Sequence, residues 1–304
     1  MKAGLIECVP NFSEGRDALV VDAIASAIRD VAGVALLDRN LDADHNRSVI
    51  TFAGGPEAVA EAAVRGVAEA ARLIDLTRHQ GVHPRIGAAD VVPFVPLGTT
   101  RLADCVTIAR SVGERIWNDL GIPVYFYEAA ALRDDRRNLA ELRRGQFEGL
   151  LEGGLASPLR RPDLGGDRPH PTAGVTAVGA RKFLIAYNIN LATKDVDIAR
   201  RIARRIRQSS GGFRHVKAMG VLLESQGLTQ VSMNLTDFEE TPVDSVFEAV
   251  EQEAARRGVK VASSEIVGLV PKRAFEMAPE FYRRAANFHP GVVLENRLAE
   301  IQSK

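Results

Sequence analysis

Twice along the chain the apolar periodicities run strand, helix, strand, strand, helix, strand. The first round reads as strands at residues 4–9, 34–40, 47–54 and 90–95, with helices at 18–31 and 57–74. The second reads as strands at 181–191, 216–224, 230–235 and 259–267, with helices at 196–208 and 243–257 and a turn at Gln226-Gly227. Such an order folds as a split βαβ unit, two helices covering one face of an antiparallel sheet. The expected class is α+β, two ferredoxin-like (split βαβ) α/β subdomains at residues 1–178 and 179–304. A single doubly wound sheet would need strand and helix to alternate throughout.

Between the rounds the periodicity predicts a helix at 102–120, ended by Gly121, and a short strand at 124–127. Glycine, proline and charge then thicken from 143 to 174, which reads as a long surface connection. After the second round a helix is predicted over 272–286.

Lys plus Arg and Asp plus Glu both count 39, so no net field draws the chain onto nucleic acid or an anionic membrane. Its two cysteines, Cys8 and Cys105, lie far apart without CxxC spacing, and no secretory leader precedes the first strand. A reducing cytoplasm is the compartment expected. No stretch approaches the ~18 apolar residues that a membrane span needs.

The segment His79-Gln80-Gly81-Val82-His83-Pro84-Arg85-Ile86-Gly87-Ala88-Ala89-Asp90 gathers two imidazoles, a guanidinium and a carboxylate. Pro84 cannot continue a helix and Gly81 and Gly87 loosen the backbone, which places His83 on a constrained loop. A zinc helix would need His79 and His83 on one helical face with a Glu beside the first, and this spacer interrupts any such helix. An imidazole in that loop either exchanges protons near neutrality or fastens the loop, and both readings stand. Arg85 suits a substrate carboxylate or solvent; Asp90 can orient an imidazole or cap the next strand.

Elsewhere, Ser13 or Asp17 suits a helix N-cap, and Asn11 offers donor and acceptor to a polar ligand. The loop Asp42-Ala43-Asp44-His45-Asn46-Arg47 is more polar than a hairpin needs. Residues 171–182 combine small side chains with Arg181 and Lys182 but form neither a P-loop nor a Rossmann turn. No Ser lies in GxSxG, and both cysteines fit core positions.

Four segments occur in one order: Glu7-Cys8-Val9-Pro10-Asn11-Phe12-Ser13-Glu14-Gly15, then Asn46-Arg47-Ser48-Val49-Ile50-Thr51-Phe52, then His83-Pro84-Arg85-Ile86-Gly87-Ala88-Ala89-Asp90, then 178–191. Together they closely resemble the glutamate formimidoyltransferases, from the first strand to about Pro271. The resemblance implies transfer of a formimino group from N-formimino-L-glutamate to N5 of tetrahydrofolate, in histidine degradation. It also implies a folate tunnel between the two subdomains. His83 matches the family's catalytic histidine, and 166–175 its folate-binding loop. That loop departs from vertebrate members, which carry more apolar and aromatic residues, at Arg168-Pro169-His170-Pro171 and Ala173.

The substrate and folate contacts expected on this basis are Asn11, Asn46, Arg85, Gly87, Asp90, His170, Thr172, Gly174, Arg181, Lys182 and Asn188. Tetrahydrofolate enters as co-substrate, and no metal is expected. The family also implies a homodimer and a separate cyclodeaminase as partner, since no room for a further domain follows the second round. Free 5-formiminotetrahydrofolate and glutamate, without ammonia, are then the expected products. The alternatives are folate-dependent formyl transfer, a 5-formyltetrahydrofolate cyclising activity, or a non-catalytic folate-binding protein.

Overall fold

The computed structural model describes residues 4–302, and the chain divides after Arg181 into two units. In the first, β1 (Leu5–Cys8) and β2 (Asn11–Phe12) are two pieces of one strand interrupted at Val9-Pro10, because Pro10 has no N–H for the ladder. They are followed by α1 (Ala18–Arg29), β3 (Val34–Asp42), β4 (Arg47–Gly54), α2 (Pro56–Leu73) and β5 (Ala89–Leu97). The β1–β2 strand lies between β4 and β5, all antiparallel, and β3 adds outside β4. This is the split βαβ arrangement that the periodicities predict.

The chain then adds α3 (Leu102–Leu120), β6 (Val124–Glu128), α4 (Leu139–Leu142), α5 (Gln146–Gly153) and β7 (Thr176–Ala180). β7 inserts between β5 and β6 and runs parallel to both, completing a 7-stranded sheet. Helices α1, α2 and α3 cover one face, where Ile24, Ile28, Val67 and Ile116 pack with Ile6, Ile50, Phe52 and Phe94 of the sheet. Full burial of each such side chain contributes about 1.5–3 kcal/mol.

Two expectations change here. The stretch 143–174 is only in part a surface connection: 156–168 is irregular and mostly exposed, whereas Phe147, Leu150 and Leu155 are buried, and Leu150 and Leu155 pack with Tyr125, Tyr127 and Val91 in a separate cluster. Its few apolar residues are spaced by glycines, which hides the period. The boundary expected at residue 178 falls inside β7, and the unit runs on to Arg181. Thr176-Ala177-Val178-Gly179-Ala180 is a fully buried strand, so no polar alternation marks it.

The second unit comprises β8 (Ile185–Leu191), α6 (Val196–Ile206), β9 (Val216–Leu223), β10 (Leu228–Leu235), α7 (Val243–Ala255) and β11 (Val261–Val267). Its sheet order is β11-β8-β10-β9, antiparallel throughout. Tyr187, Ile189, Val231 and Met233 meet Ile202, Val246 and Val250 in its core. A side chain at Gly220 would collide with the α6 backbone at Ala199 and Arg200. The single helix expected over 272–286 is two, α8 (Lys272–Met277) and α9 (Pro279–Arg283), because Pro279 starts a new one. A last helix, α10 (Leu294–Gln302), follows. No helix among the described residues is long and apolar enough to cross a membrane.

Candidate active site

The loop between α2 and β5 is irregular, and contacts from several elements fix it. Ser13, one of the two residues expected as an N-cap, gives its Oγ–H to Gly87 O at 2.7 Å, while Asp17 caps α1. Gly87 pairs with Gly174 in a short antiparallel bridge. The bridge is flanked by Val175 N to Ile86 O and Ala88 N to Ala173 O, each at 2.9 Å. Asp90, 2% exposed, accepts from Ile86 N–H at 2.7 Å and from the Arg143 guanidinium. A carboxylate thus fixes the loop's exit, and its charge is met by Arg143.

Arg85 is 5% exposed and its donors are committed. Nη1 and Nη2 grip Glu148 of α5 at 2.7 and 2.6 Å, and Nε donates to His79 Nδ1 at 2.9 Å. The geometry therefore gives Arg85 a bracing part rather than the open carboxylate clamp read from sequence. Asn46 braces from the other side. In a left-handed conformation (φ 48°), it donates Nδ2–H to Gln80 O at 2.9 Å and accepts from Gly15 N–H at 3.0 Å. Its own carbonyl lies 2.8 Å from His79 Nε2.

His83 is half-buried. Its Nε2 lies 3.4 Å from Arg47 Nη1, which is also 3.4 Å from Asn11 Oδ1. A guanidinium can only donate, so this ring nitrogen is the acceptor and the imidazole is neutral. Burial, then the charges of Arg47 and Arg143 and the neighbouring His45 and His79, hold its pKa well below the ordinary 6.5. Such an imidazole can take a proton from a reacting nitrogen when the long Arg47 contact yields, and can return it.

His170 and Thr172 form a tight turn with Gly174. His170 Nδ1 accepts from Ala173 N at 3.0 Å, and the His170 and Gly174 main chains exchange two hydrogen bonds. One nitrogen of His170 is thus committed to the turn. Arg181, at the end of β7, donates its backbone N–H to Phe94 O, and its side chain contacts the Tyr127 hydroxyl, whose pKa burial pushes up. In the second unit, exposed Lys182 pairs with Asp237 at 2.9 Å. Asn188 belongs to an amide cluster there: it donates to Glu265 at 2.8 Å, and Gln230 Nε2 contacts both Glu265 and Asn190.

The first unit thus brings Asn11, Asn46, Arg85, Gly87, Asp90 and Gly174 together with His83. Sequence reasoning missed Arg47, Arg143 and Glu148. Arg47 stood in a quoted motif, whereas Arg143 and Glu148 meet partners 53 and 63 residues away, for which the sequence offers no local signal. Among the described residues no group of three or more His, Cys, Asp or Glu is placed to hold a metal ion.

Two split βαβ units, the first holding an imidazole beside a guanidinium group on a braced loop, place a candidate proton carrier in a fixed position. Residues 5–181 match the family model described as formiminotransferase domain, N-terminal subdomain, and 186–300 match that described as formiminotransferase domain. The chain is 46% identical to a glutamate formimidoyltransferase of Streptococcus pyogenes, over 97% of this chain and 99% of that one. A glutamate formimidoyltransferase of Thermoplasma acidophilum is 45% identical over 97% of each. A formimidoyltransferase-cyclodeaminase of Gallus gallus is 45% identical over 92% of this chain, which spans 52% of that relative. The chain belongs to the formiminotransferase family and is a transferase.

Proposed function

We propose that the chain transfers the formimino group of N-formimino-L-glutamate to N5 of tetrahydrofolate and that His83 carries the proton. The N5 lone pair attacks the amidine carbon, and a new C–N5 bond forms at a tetrahedral centre. His83 takes the N5 proton and returns it to the glutamate nitrogen. The bond from carbon to that nitrogen then breaks, releasing glutamate and 5-formiminotetrahydrofolate. Atoms and charge balance without a metal, an oxidant or a covalent enzyme intermediate.

The observation that carries this reading is His83 Nε2 lying 3.4 Å from the Arg47 guanidinium on a loop held at both ends. Arg47, with Arg181, supplies positive charge for the carboxylates of formiminoglutamate and of the folate tail. Bifunctional relatives whose names join this transfer to a cyclodeaminase support a cyclodeaminase as the next enzyme for the product. Replacement of His83 by alanine is expected to keep the fold and folate affinity while kcat falls roughly 10²–10⁴-fold. Turnover near wild type in that variant would remove His83 from the mechanism.

A further inference from the structure

Beside His83 stands a second imidazole that the transfer above leaves unused. His45, in the turn between β3 and β4, is 2% exposed. A single carboxylate holds both its ring and its main chain: Asp42 Oδ2 lies 2.6 Å from Nδ1, and Asp42 Oδ1 accepts the backbone N–H at 2.9 Å. The His45 ring sits edge-on to His83, with centroids 6.1 Å apart and planes at 60°. At that spacing, in a partly desolvated site, two positive rings disfavour each other by roughly one pH unit or more.

The charged and titratable groups facing His83 come from several elements. Arg47 reaches it from β4, and Arg143 from the segment after α4, although Asp90 meets the charge of Arg143. His79, on the same loop, is locked neutral: Nε2–H goes to Asn46 O while Nδ1 accepts from Arg85. That leaves His45 and His83 to compete for a proton, and only His45 has a carboxylate on its ring.

We propose that the Asp42–His45 pair takes the first proton this site acquires and so adds to burial and the Arg47 charge in keeping His83 an unprotonated base. His45 is then a positioning residue that acts on the chemistry through the charge state of His83, and the inference rests on His83 being the proton carrier. The depressed pKa of His83 agrees, as does that of Asp42, where burial is outweighed by the hydrogen bonds from His45.

Two measurements on the intact protein test the pair: NMR titration of the histidine rings, assigned by single substitutions, and kcat/KM against pH. In the wild type, His45 should take up its proton at higher pH than His83. His45→Gln should move the His83 titration and the acid limb of kcat/KM upward together by about one pH unit, and Asp42→Asn should move both the same way. A His83 that titrates above His45 in the wild type overturns the proposal, and that result needs no folded active-site variant. Loss of kcat at every pH with an unmoved limb would assign His45 a merely structural part and overturn it too. Full activity in His83→Ala would instead sink the reading beneath it, which the order of the two NMR titrations tests separately.

Discussion

His79 and His83 sit four positions apart on one loop, yet their nitrogens meet different partners. Both nitrogens of His79 are engaged, with a carbonyl and with Arg85, so protonation there would break a contact. His83 meets a guanidinium and is depressed further. Burial leads in lowering both rings, so the unfolded chain binds these protons more readily than the folded one. The stability they contribute is present above about pH 6.5 and is lost as pH falls toward the folded values. The melting temperature should therefore drop as pH goes from roughly 7.5 to 5, and His83→Gln should flatten that slope; equal slopes in wild type and variant would exclude His83 as a source. Arg181 lends itself to a kinetic test. If its guanidinium only holds a substrate carboxylate, Arg181→Ala raises KM more than it lowers kcat, whereas a fall in kcat alone would put it at the reacting centre.

At the level of elements, the site depends on the crossing of two irregular segments, 86–88 and 173–175. Gly174 adopts φ 71°, and a side chain there would run into the Ile86 carbonyl oxygen. Gly211 has a similar φ of 83° with open space around it. Gly174→Ala is therefore expected to destabilise by more than ~2 kcal/mol and Gly211→Ala by only ~1 kcal/mol, read from paired denaturant curves. Similar losses in both would show that backbone strain alone counts and that the crossing yields. The strand and helix order of both rounds was legible because the helices are amphipathic, as in α6 with Ala199, Ile202, Ala203 and Ile206 buried, and strands such as β4 are long apolar runs. β7 and α5 were not, since small residues and glycines erase the period. The same contrast holds in the site: the histidine loop announced itself by composition. Its braces, Glu148 and Arg143, are ordinary surface charges until folding brings them to Arg85 and Asp90.

Across the whole molecule the two units repeat one design, and the first differs by what is spliced between β5 and β7. That insertion carries α4 and α5 and buries Leu142, Leu150 and Leu155 in a cluster distinct from the helix-covered core. It also grips the histidine loop at three points, through Arg143 with Asp90, Glu148 with Arg85, and Phe147 N–H with Arg85 O at 3.0 Å. A segment held to the sheet by a small apolar cluster can open as a cooperative unit at less free energy than global unfolding. Amides of α5 should then exchange with solvent in mild denaturant before those of β4 and β5, and turnover should fade with the α5 amides. Exchange of all three in one step would show that the insertion has no independent stability. Its consequence is a fuse: under mild stress the enzyme falls silent while most of its backbone remains folded, and it regains activity by redocking two short helices rather than by refolding a chain.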